Sequence, residues 1–178
     1  ASVEISNLTV SSSARLDKTD FPCTNTDTLL TADKAIVEFR ITDIIRKNYT
    51  IGRIAIKNGS LNLFSDSAGR VNYDIRIAGS SEGNSKSPID LSRINLNSLY
   101  ANYSNASASL GIGCLVVDGK LRSRISEEGV DLKADAEIQI GEFRLDSYRL
   151  PDVISAAIEL EMRSTDSLLS FSKGVMKL

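Results

Sequence analysis

The chain has 178 residues, 42% of them apolar, and its 21 basic and 23 acidic side chains leave a formal charge of −2. That length and composition fit one sizeable folded domain and exclude wholesale disorder. The charges are scattered, so the clustered basic face that nucleic acid requires is missing; with no histidine, Ser-His-Asp and Cys-His catalysis and the commonest metal ligand are excluded too.

In chain order, residues 1–10 alternate in polarity and carry Glu4, which is not the pattern of a signal peptide. No run approaches the roughly 18 apolar residues that would span a bilayer. The chain ends at Val175-Met176-Lys177-Leu178 without a turn or a polar tail. The expectation is a piece of a longer protein whose targeting segment lies elsewhere. Strands are predicted over 3–10, 35–41, 49–56, 60–64 and 70–77, punctuated by Gly59 and by the cluster from Ser65 to Gly69. One short helix is predicted at Asp43-Ile44-Ile45-Arg46-Lys47, capped by Thr42 and ended by Asn48. Residues 79–87 hold nothing apolar to bury and read as a mobile loop or linker. Strands on both sides of it can join one sheet, so 1–178 is taken as a single domain.

The second half is plainer. Over 115–125, Leu115, Val117, Leu121 and Ile125 oppose Asp118, Lys120, Arg122 and Arg124. Asp118-Gly119 is a tight-turn signal, and the segment is expected to fold back there as a hairpin. Glu127-Glu128-Gly129 reads as the next turn. Beyond it Leu132, Ala134, Ala136, Ile138 and Ile140 share one face, and Asp131, Lys133, Asp135, Glu137 and Gln139 the other. Residues 153–162 alternate in the same way, with Ile154, Ala156, Ile158, Leu160 and Met162 on one side. Strict period two identifies strands with one covered and one wet face. Ala134, Ala136, Ala156 and Ala157 leave space among the larger side chains. That space suits either a packed core under another layer or a groove that admits acyl chains.

Two segments together resemble the AsmA family. The first has Phe21-Pro22, the short Ile-rich helix, and the run from Ile51 through Leu61 and Leu63 to Asp66, Gly69, Asn72 and Tyr73. In the family a similar run closes on Gly, two residues, Asn and an aromatic. The second is the repeated Ile/Leu/Asn pattern over 89–104, with Ser104 standing where an acidic residue is common. The usual N-terminal membrane helix is also missing from this chain. The resemblance implies a periplasmic protein anchored in the inner membrane through such a helix. It implies an elongated curved antiparallel sheet, or a meander of repeated β units with one short helix, serving outer-membrane homeostasis or phospholipid transport in the Gram-negative envelope. No cofactor is expected. Gly69 would permit a positive φ in a tight connection, while Asn72 and Tyr73 would tie loop backbone and cap an apolar edge.

An extracellular adhesion or carbohydrate-binding β-sandwich is the alternative, but the chain has no Trp and only 6% aromatics for stacking on sugars. Cys23 and Cys114 can form a disulfide or remain two buried thiols. Carboxylate pairs at Glu127-Glu128, Asp131/Asp135 and Glu159/Glu161 lie in a turn or on polar strand faces, where solvated charge is expected rather than acid–base catalysis. Asn-X-Ser/Thr sequons at Asn7, Asn48, Asn58, Asn102 and Asn105 are irrelevant in a bacterial protein. Asp66-Ser67-Ala68 resembles the O-glycosylation acceptor of Bacteroides-type bacteria and falls in a predicted exposed turn.

Overall fold

A computed structural model describes residues 1–22, 24–39, 51–73, 89–126, 129–165 and 169–178. Nine strands form one curved, open and mostly antiparallel sheet, with no helix among the described residues. In chain order they are β1 (Ser2–Ser11), β2 (Thr28–Phe39), β3 (Ile51–Ser65), β4 (Ile89–Asn105), β5 (Leu110–Ser126), β6 (Gly129–Leu145), β7 (Tyr148–Arg149), β8 (Ile154–Ser164) and β9 (Leu169–Lys177). Spatial order follows chain order, with the two-residue β7 lying off the path against β6. The predicted helix at 43–47 and the predicted loop at 79–87 lie outside the described residues.

The pairing departs from a pure meander at one place. β3 and β4 run parallel, with Ile56 opposite Leu96 and Leu61 opposite Ala101. A parallel pair needs a crossover of a dozen or more residues, and the chain between Ser65 and Ile89 is long enough to make it. The strand expected over 70–77 is not one in its described part. There Val71 makes only an isolated bridge to Ser65, and residues 74–77 lie outside the described residues. Two strands escaped prediction, β7 and β9, and β2 begins at Thr28 rather than at Ala35.

The hairpin expected at Asp118-Gly119 does not exist. β5 runs straight through it, with Asp118 opposite Asn97 and Glu137. Gly59 likewise sits inside β3 rather than between two strands. Both glycines border a crease that crosses the first five strands. Asn7, Asn58 and Ser98 have φ of 53°, 49° and 52°, the left-handed region. The flanking pairs align Asn7 with Asp33, Asn58, Ser98 and Val117 across the sheet. A left-handed residue reverses the pleat, so apolar positions on either side of the crease are three apart rather than two: Ile5/Leu8, Ala32/Ala35, Ile56/Gly59, Leu96/Leu99 and Val116/Gly119. Between β5 and β6 the register shifts at Val116/Asp118, and Ala136/Ile138 resume normal spacing. Bulged strands bend, so the crease helps to curl the sheet. Small residues that tolerate left-handed backbone serve turns and creases alike, which is why the sequence suggested a reversal.

Candidate functional site

The residues singled out on β6 and β8 come together in register. Ala134 pairs with Leu160, Ala136 with Ile158, Ile138 with Ala156, Ile140 with Ile154, and Leu132 with Met162. Their rows continue across the sheet. One row runs Ile5, Ala35, Ile56, Leu96, Gly119, Ala136, Ile158 and Met176. A second runs Leu8, Ala32, Gly59, Leu99, Val116, Ile138 and Ala156. A third carries Leu30, Leu61, Ala101, Cys114, Ile140 and Ile154. Seven inter-strand steps along the main path, at about 4.8 Å each, make this apolar face about 34 Å wide across the strands.

Burial grades along the face. Leu99, Val116, Ile138 and Ala156 form its buried centre, against which Leu30, Ile56, Leu61, Leu96, Ala136, Ile140 and Ile158 pack. Leu99 is only 1% exposed, covered by the side chains packed around it. Toward the edges the face opens, with Val3 50% exposed on β1, and Phe171 60% and Met176 55% on β9. The opposite face of β6 is polar and exposed throughout Asp131, Lys133, Asp135, Glu137 and Gln139. Ion pairs lace that side: Lys34–Glu4 at 2.8 Å, Arg53–Glu38 at 3.2 Å, Lys133–Glu161 at 3.1 Å, Arg163–Asp131 at 3.7 Å, and Lys173–Glu159. Glu159 and Glu161 therefore each hold a lysine. No group of His, Cys, Asp or Glu among the described residues could hold a metal ion.

The motif residues gather at one end, on the polar side. Phe64 lies opposite in pleat to Leu61 and packs with Leu16, Phe21 and Ala106; the Phe21 and Phe64 rings are 5.3 Å apart. Gly69 has φ +79°, the tight connection expected of it. Asn72 is fully buried and every polar group it has is used. Its Oδ1 accepts the Phe64 N–H at 2.8 Å, and its Nδ2 donates to Ser12 Oγ at 3.2 Å and to the Asn62 carbonyl at 2.9 Å. Its own N–H and carbonyl pair with Phe64 and Ser13. Tyr73 is half-buried, and that burial, with Tyr103 nearby, raises its phenol. For Gly69 and Asn72 these are structural duties.

Asp66, to which the sequence lent a place in the motif but no structural role, is the hub of the same turn. Its buried carboxylate accepts the N–H groups of Ala68 and Arg70 at 3.1 and 2.8 Å, the Asp17 N–H at 3.3 Å, and the Arg70 guanidinium at 2.7 Å. Burial pushes this carboxyl up, but the Arg70 bonds outweigh it and hold it below the ordinary range. Ser67 is exposed at the tip, with its N–H donated to Asp20. Cys114 carries a free, half-buried thiol on the apolar face, pushed up by burial; Cys23 lies outside the described residues.

The fold and this face define a class: a single-sheet β protein with one broad apolar surface, polar behind. No protein-family model matches the chain, and no curated protein or solved structure matches it.

Proposed function

We propose that this chain is an AsmA-like domain of the Gram-negative envelope that holds lipid acyl chains along its apolar face without turning them over. One observation carries the reading. An unbroken apolar face crosses the whole sheet, buried along its middle and open toward both edges, with a charged surface behind it. Such a trough suits long flexible chains, because small residues such as Ala136, Ala156 and Gly119 alternate with Ile and Leu along it. The motif turn at Asp66, Gly69 and Asn72 supports the same reading as a device that braces one end of the sheet. The periplasmic location, the inner-membrane anchor and the part in outer-membrane homeostasis or phospholipid transport belong to this proposal as well. The β-sandwich alternative gains less support, since the described strands lie in one sheet. The test is mass spectrometry of protein purified from membranes. Co-purifying phospholipid is expected, and repeated empty preparations would sink the idea.

A further inference from the structure

The polar side of the sheet carries a second concave feature, independent of the apolar face. At the end where β4 meets β5 and β6 meets β7, a cleft of about 560 Å³ is lined by Thr24, Tyr100, Ser104, Glu142, Arg144 and Arg149, among others. Arg144 and Arg149 stand directly opposite each other across β6 and β7. The hairpin is pinned in that register: Asp146 adopts φ 52° and donates its N–H to the Ser109 carbonyl, and the Leu150 N–H donates to the Phe143 carbonyl, both at 3.0 Å. Like charges held opposite one another in a sheet repel. Many basic residues of the polar side answer an acid directly, as Lys34, Arg53, Lys133 and Lys173 do. Neither Arg144 nor Arg149 makes an ion pair among the described residues.

The floor beside them is cleared. A side chain at position 111 would begin 3.6 Å from the Arg144 guanidinium, and one at 113 would begin 2.6 Å from the Tyr100 hydroxyl. Glycine at 113 lets the phenol lie over β5, while at 111 a Cβ would make only an ordinary contact with the guanidinium that faces the same cleft. Burial, with Glu142 and Cys114 adding to it, keeps the Tyr100 phenol protonated and therefore a donor. Two guanidinium forks, a phenol and the Ser104 hydroxyl make a donor-rich pocket, in which the two arginines repel each other and Glu142 is the one acid of the lining.

We propose that this cleft binds a phosphate-type oxyanion bridging Arg144 and Arg149, with Tyr100 and Ser104 as further donors. Guanidinium forks match phosphate oxygens in a planar, two-point geometry. Free phosphate and the phosphate of a lipid headgroup share that chemistry. The experiment measures thermal unfolding and calorimetric binding of the full chain with inorganic phosphate and, separately, with dihexanoyl phosphatidic acid. Each anion is tested on the wild type and on Arg144→Gln, Arg149→Gln and the double variant. Anion-dependent stabilisation of the wild type is expected, about tenfold weaker binding in each single variant, and none in the double variant. Without anion the double variant should unfold no earlier than the wild type, because the repulsion is gone; that readout separates binding from a structural role. Tighter binding of the lipid analogue assigns a headgroup, and equal binding assigns free phosphate. No response to either anion, or an undiminished response in the double variant, overturns the site.

Discussion

The Asn72 Oδ1 accepts the Phe64 backbone N–H at 2.8 Å, and Asn72 donates its own N–H back to the Phe64 carbonyl at 3.1 Å. This reciprocal pair ties the turn after β3 to the strand's last residues, and the Nδ2 bonds extend it to Ser12 and Asn62. Truncation strands several buried groups at once, each costing about 1–3 kcal/mol. Asn72→Ala is expected to lower stability by about 2–4 kcal/mol. Urea denaturation measures it; a loss below about 1 kcal/mol would show that the network is dispensable.

Asp66 sets an acid limit on the same turn. Its folded-state pKa lies below its unfolded one, as do those of Asp17, hydrogen-bonded by Thr19, and Glu159, bonded by Lys173. The stability that a depressed carboxylate gives is fully present above the unfolded pKa and is lost as pH falls through the folded value. Melting temperature should therefore fall as the solution is acidified below the ordinary carboxylate range. Asp66→Asn should be less stable than the wild type near neutrality, with the gap closing toward low pH. A gap that stays constant across the titration would contradict the assignment.

The two glycines beside the crease differ in what surrounds them. A Cβ at Gly59 would lie 2.0 Å from the Thr31 carbonyl oxygen, which is backbone and cannot yield. At Gly119 the nearest atom, 2.9 Å away, is a methyl of Val116, whose side chain can turn. Gly119→Ala should cost about 1–3 kcal/mol, as overpacking does, and Gly59→Ala distinctly more. Equal costs would mean that β2 and β3 are free to separate at the crease.

Cys114 reports on the apolar face, since its thiol shares a row with Ala101 and Ile140. Burial raises its pKa, which lowers the reactive thiolate fraction. In a Cys23→Ser background, a thiol reagent at mildly alkaline pH should label Cys114 more slowly in the folded chain than in urea. Equal rates would place the thiol in open water.

Much of this was legible in the sequence where the chemistry is local. Strict alternation from Asp131 to Ile140 identified the two faces of β6, and the structure keeps each residue on the face expected of it. Gly69 was recognisable because a positive φ at low cost needs glycine. Pairing across distance was not legible, since nothing local distinguishes the parallel β3–β4 pair from an antiparallel one. β9 was hidden because its alternation breaks at the irregularity opposite Glu161/Met162, and Lys173-Gly174 resembles a turn. Asp66 looked like one more polar turn residue, and its burial depends on Asp17, far off in sequence. Arg144 and Arg149 flank a tight turn, and only the hairpin register brings them face to face.

The central claim is that lipid acyl chains lie along one face of this sheet and not along the other. Ile140 and Gln139 are neighbours on β6 that point to opposite faces, Ile140 into the apolar trough and Gln139 to the charged exterior. A photoreactive phenylalanine derivative introduced at each position in turn, and irradiated in cells, tests the claim directly. Lipid adducts, detected by mass spectrometry, are predicted at position 140 and not at position 139. Adducts at neither position, or equally at both, would contradict it.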